Sequence, residues 1–139
     1  MKTLATLLFI IVSSVAGFAQ TNEGISITAT VENAHNNNGK VIFALHDKST
    51  FMKGKGVMNA TSTINDGVAT VTFENVTPGT YAILVLHDEN DNDRMDYAAT
   101  GMPQEDYGMS NNIVAFGPPQ FMDAKFEVTD KDQTFNIRF

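Results

Sequence analysis

Residues His87 to Asp96 read HDENDNDRMD, and oxygen-bearing side chains fall on alternate positions: Asp88, Asn90, Asn92 and Asp96. Counted from Asp88, these are positions 1, 3, 5 and 9, with the main-chain carbonyl of Arg94 at position 7. A loop with that spacing turns several oxygens toward one hard cation at about 2.3–2.6 Å. Calcium suits it better than magnesium, because a flexible set of carboxylates and amides accepts irregular coordination whereas magnesium demands a near-octahedral shell. Asp88, Asn90, Asn92, Arg94 and Asp96 are therefore the expected ligands of a calcium ion. Glu105 and Asp106, further along the chain, are candidates for completing the shell. The match to an EF-hand loop is partial: Asp93 replaces the Gly of position 6, Ala99 replaces the Glu of position 12, and no helical pattern flanks the loop. Against the ion stands a solvated acidic turn, since Asp and Asn favour turns for backbone reasons alone.

Other chemistries have weaker support. Met95, Met102 and Met109 share the same stretch, and His46 and His87 close two similar texts, FALHD and LVLHD. Thioethers with imidazole select copper. Met also fills irregular packing, however, and a histidine at a strand end is more often a hydrogen-bonded structural residue. A nucleophile would have to be Ser110 with His87, and no Gly-x-Ser-x-Gly elbow is present. Glu105 with a loop aspartate is a poor glycosidic pair without an aromatic-lined cleft. The absence of cysteine excludes disulfides, zinc–thiolate sites and iron–sulfur clusters, and a net charge of −7 argues against nucleic acid. No enzymatic activity is expected.

The elements that must position the loop read as strands. Ile25–Val31 alternates apolar and polar residues, the period of a half-buried strand, and the alternation returns in Gly67–Phe73, Phe121–Val128 and Thr134–Phe139. Lys40–His46 and Thr80–His87 are nearly continuous apolar runs, as in central strands covered on both sides. Val57–Ile64 is a weaker candidate. Turn signals separate them at Asn37-Asn38-Gly39, Asn65-Asp66-Gly67, Thr77-Pro78-Gly79 and Gly117-Pro118-Pro119. No segment carries a helical period. About seven short strands point to an all-β fold, an antiparallel β-sandwich of immunoglobulin-like or transthyretin-like type. Asp88 to Asn112 is left as one long connection, and such connections are usually functional.

The first 19 residues read as a signal peptide: Lys2, an apolar run from Leu4 to Val12, and a small-residue exit at Gly17-Phe18-Ala19. Residues 20–139 are then a single domain, exported to the periplasm or beyond. The apolar run is shorter than the roughly 18 residues that suggest a membrane span, and no second one follows. Small exported domains often supplement a limited core with disulfides or a metal, and here only the metal is available.

Three further stretches carry a resemblance: PGTYA at Pro78–Ala82, GMPQEDYGMSNN at Gly101–Asn112 and FGPPQFMDAKFEV at Phe116–Val128. Together with the His-Asp-x-Asn-x-Asn loop, they make the chain similar to bacterial domain-of-unknown-function family 2141, small exported proteins, over essentially the whole of residues 20–139. The resemblance implies a β-sandwich, export and no established activity. Asp93 stands where such loops commonly have Gly. Within the distal segment, Ser110, Asn111 and Asn112 are suited to closing the loop by side-chain to backbone hydrogen bonds, and Tyr107 to packing its ring on the sheet. The expected whole is a non-enzymatic, exported β-sandwich whose calcium-bound loop orders the connection to Asn112. The alternative is an envelope or extracellular module that binds a glycan or peptide through the 88–112 surface. Its aromatics would be Tyr97, Tyr107 and Phe116.

Overall fold

The computed structural model describes residues 24–114 and 116–139, so the signal-peptide reading of residues 1–19 lies outside the described residues. Eight strands follow in chain order: β1 (Ile25–Val31), β2 (Lys40–His46), β3 (Met58–Ser62), β4 (Ala69–Val76), β5 (Gly79–Asp88), β6 (Tyr107–Met109), β7 (Phe126–Val128) and β8 (Gln133–Ile137). They form two sheets, β4-β1-β8 and β3-β2-β5-β6, with β7 joined to the start of β5. All ladders are antiparallel except β1 with β8, which is parallel.

The pattern of the strands decides what lies between the sheets. Ile27, Ala29 and Val31 of β1 meet Val41, Phe43 and Leu45 of β2 and Ile83 and Val85 of β5 in one buried cluster. Side chains on alternate positions of a strand point to opposite faces, so the intervening residues of β1 turn outward. Thr28 and Thr30 there bond hydroxyl to hydroxyl with Thr72 and Thr70 of β4, each at 3.0 Å. The outer face of the larger sheet carries a second, smaller cluster of Phe51, Ala82, Met109 and Ala124. This cover explains why β2 and β5 read as apolar on both faces.

Three expectations change. Phe121–Val128 is not one strand: Phe121–Ala124 is a single helical turn, α1, and only Phe126–Val128 pairs. Gln120 O accepts the amides of Asp123 and Ala124, which turns Ala124 into the outer cluster where an extended chain would not take it. The connection from Asp88 to Asn112 is not structureless, since β6 adds to the edge of β5 and Tyr97 bridges to Pro103. Among the described residues the strands number eight and not about seven, because the short β6 adds to the edge of β5. Among the described residues no helix is long and apolar enough to cross a membrane.

His46 is buried on the outer face, with Nδ1 3.2 Å from Thr50 Oγ1 and its ring edge-on to Phe51. Burial lowers its pKa below the ordinary histidine value, against a smaller upward pull from Thr50 and the charge of Asp47. The unfolded chain therefore takes up a proton, near pH 6.5, that the folded chain refuses. Stability supplied by neutral His46 is full above about pH 6.5 and declines as pH falls below it. Urea midpoints at pH 7.5 and 5.5 should differ more for the native chain than for His46→Gln. Equal differences would remove this role.

Candidate metal centre

The loop begins where β5 ends. Asp88 is fully buried, and its two oxygens accept the amides of Asn92 (3.0 Å) and Asp93 (2.9 Å). A carboxylate at the head of the loop thus fixes the path of the next five residues. Asn90 Oδ1 and Asn92 Oδ1 accept the amides of Asn92 and Arg94, so each residue bonds two positions ahead. These bonds require left-handed backbone at Asp91 (φ 59°) and Asp93 (φ 63°). Asp93 takes the left-handed turn despite not being glycine, which Asp tolerates better than most residues. The departure at this position does not open the turn.

The alternate side chains converge on Asp96. Its carboxylate accepts the Asn90 amide at 2.6 Å and the Asn92 amide at 2.9 and 3.0 Å. The guanidinium Nε of Arg94, a largely exposed residue, lies 3.8 Å from Asp96 Oδ1. Asp88, Asn90, Asn92 and Asp96 are therefore brought into one loop, while the side chain of Arg94 stays at its rim. The loop has its own cation as well: Lys40 Nζ sits 2.7 Å from Asp93, 3.5 Å from Asp91 and 3.6 Å from Asp88. Hydrogen bonding from Lys40, then its charge, lowers the Asp93 pKa, and the same bond raises that of Lys40 against its partial desolvation.

Glu105 and Asp106 do other work than the expected one. Glu105 is buried, and its two oxygens accept the amides of Glu89 (3.0 Å) and Asp96 (3.1 Å), which clamps the two ends of the loop together. Asp106 instead reaches His35, in the β1–β2 connection, at 2.6 Å. His46 and His87 lie at opposite ends of the antiparallel β2–β5 pair, where His46 faces Ala82 and His87 faces Val41. Met109 is buried in the outer cluster and Met102 is exposed, so the copper set does not assemble.

The end of the connection closes as the side chains suggest. Ser110 Oγ accepts the Ile83 amide at 3.0 Å and donates to the Ala124 carbonyl, both inside the protein. Asn111 Nδ2 donates to the carbonyls of Asp123 and Lys125, and Asn112 bonds β8 through Asn136 O and Arg138 N. Tyr107, by contrast, keeps its ring exposed. Ser110→Ala leaves the buried Ile83 amide without an acceptor and should lower stability by about 1–3 kcal/mol. A urea denaturation midpoint unchanged from that of the native chain would refute this.

Neither the curated proteins nor the solved structures contain a match to this chain. Residues 29–136 match the family described as "Uncharacterized protein conserved in bacteria (DUF2141)". The matched stretch runs from β1 to β8 and includes the whole acidic loop, and the chain belongs to that bacterial family.

Proposed function

We propose that this chain is an exported, non-enzymatic β-sandwich whose Asp88–Asp96 loop binds one calcium ion. The observation that carries this reading is the meeting of the Asn90 and Asn92 side chains on Asp96, in a loop whose path Asp88 fixes through the amides of Asn92 and Asp93. The amide nitrogens of Asn90 and Asn92 face Asp96. A half-turn of each amide, along a torsion that is broad and roughly two-fold, presents their oxygens to a cation beside Asp96 and gives up the bonds those oxygens accept from the amides of Asn92 and Arg94, while the Asp88 bonds keep the loop's path. Lys40 Nζ pairs most closely with the outward carboxylate Asp93, at 2.7 Å, and is shared between Asp91 at 3.5 Å and Asp88 at 3.6 Å, so one cation balances only part of the charge that Asp88 and Asp96 bring to a divalent ion. The Arg94 carbonyl completes the set, and ion binding stabilises the connection through to Asn112.

Export rests on the cationic, apolar and small-residue pattern of residues 1–19. A non-enzymatic role is supported by Ser110, whose hydroxyl is engaged by Ile83 and Ala124 and, among the described residues, bonds no imidazole. The thermal midpoint of the chain without its first 19 residues should rise with millimolar calcium, rise far less with magnesium, and fall back with chelator. At a concentration about 100 times Kd the gain is roughly 2.7 kcal/mol. No shift with calcium would refute the ion site.

A second reading has one observation in its favour. A groove of about 420 Å³ runs between β6 and the end of the chain, lined by Tyr107, Ile113, Val114 and Phe139 among others. Val114 in its lining and Phe116, next in the chain to the lining residue Gly117, are almost completely exposed. Apolar surface of this kind suits a glycan or peptide partner. Binding that survives loss of the calcium site would favour it.

A further inference from the structure

His87, the penultimate residue of β5, lies on the inner face of the sandwich, fully buried, with its ring stacked 5.9 Å from Phe139 and tilted 5.5 Å from His35. Its Nε2 lies 2.9 Å from the carbonyl of Asn38, so Nε2 carries the proton and donates. Nδ1 is then an unprotonated lone pair, and it is the one buried side-chain polar atom among the described residues without a hydrogen-bond partner. Such an atom costs free energy unless something accepts its lone pair. His35, His87 and Asp106 each offer a ligand atom within 4.8 Å of the others, and Nδ1 is the nitrogen that His87 has free to offer.

We propose that His35, His87 and Asp106 form a site for a divalent first-row transition ion, of which zinc is the natural probe. Two neutral imidazoles and one carboxylate are a borderline ligand set, which favours zinc and its neighbours over calcium. Ligand atoms around tetrahedral zinc stand about 3.3 Å apart. His35 Nδ1 and Asp106 Oδ2, now hydrogen-bonded at 2.6 Å, therefore part on binding and release their shared proton to solvent, and His87 closes a gap of no more than 4.8 Å. The Asn38 carbonyl fixes the His87 tautomer and ring orientation, as an outer-shell partner of a metal-bound histidine does. On His35, Nε2 lies 3.2 Å from Glu89, which Asn36 holds through the other oxygen at 3.0 Å. A carboxylate there orients the second imidazole in the same way. His35 and Asp106 have side chains 55% and 44% exposed, so the ion enters from solvent and keeps water on its open face. The site shares none of its three ligands with the calcium set and meets that loop through Glu89 and the adjoining His87 and Asp88.

The test is calorimetric titration with zinc chloride, in calcium-free buffer and in millimolar calcium, alongside the imidazole NMR signals. One zinc should bind under both conditions, with the signals of His35 and His87 perturbed and those of His46 unmoved. His35→Ala and Asp106→Asn, both at exposed positions, should each weaken binding at least about tenfold. His46→Gln should leave it unchanged. Absence of zinc binding, or binding that both exposed variants retain, would overturn the site even if calcium binding holds. A zinc response confined to His46 would overturn it equally.

Discussion

Asp88→Ala is expected to abolish the calcium-dependent rise in thermal midpoint and to destabilise the ion-free protein by about 2–4 kcal/mol. Both effects follow from one carboxylate. Asp88 is buried, holds the amides of Asn92 and Asp93, and faces Lys40. Removing it leaves two amides without acceptors and takes away the charge that anchors the ion. Asp96→Asn separates the two roles. Its side chain is only 26% exposed, but its partners are the loop amides and not the core. That variant should lose the calcium response and keep most of its ion-free stability. Thermal melts of both variants with calcium and with chelator decide the matter. An intact calcium shift in Asp88→Ala would reject the ligand assignment.

Gly39→Ala should be among the most damaging single changes outside the core, at roughly 3–5 kcal/mol. Gly39 precedes β2 with φ at +62°, in the left-handed region that a Cβ disfavours. An added Cβ would also collide with the carbonyl of Asp88 and the backbone of Glu89, where β2 lies closest to the end of β5. Relief requires the strands to part at the Lys40–Asp88 pair, the base of the loop. Gly54 provides the control: its φ is +108° but nothing lies within 4 Å of a Cβ there. Gly54→Ala should therefore cost only the backbone preference, about 1–2 kcal/mol. Urea denaturation of the pair measures the difference. Equal losses would mean that the close approach at Gly39 does not matter.

The fold and the loop were legible to different depths, for physical reasons. Ile25–Val31 and Lys40–His46 carry their own signal, because alternation or a continuous apolar run reports directly how many faces are covered. The turns inside the acidic loop are local too, since their bonds join residues only two to six positions apart, whereas the Glu105 clamp and the Lys40 ion pairs come from outside it. Tyr107–Met109 gives no such signal: three residues with a central glycine show no period, and their pairing is set by the edge of β5. Gly108 fits there because its position lies against the Arg138 carbonyl. Phe121–Ala124 alternates like a strand, yet backbone bonds to Gln120 and burial of Ala124 coil it. Asp106 groups with the loop by sequence alone, because it is near in the chain. Its partner His35 is 71 residues away, and only the pairing of β2 with β5 brings the two ends together.

An amide-resolved NMR titration with calcium tests the central claim most directly. The account predicts saturation at one ion per chain, with large changes at Asn92, Asp93 and Arg94 and in the side-chain amides of Asn90 and Asn92, and little response to magnesium. Small shifts spread over the acidic surface, rising without saturation and alike for both ions, would contradict it.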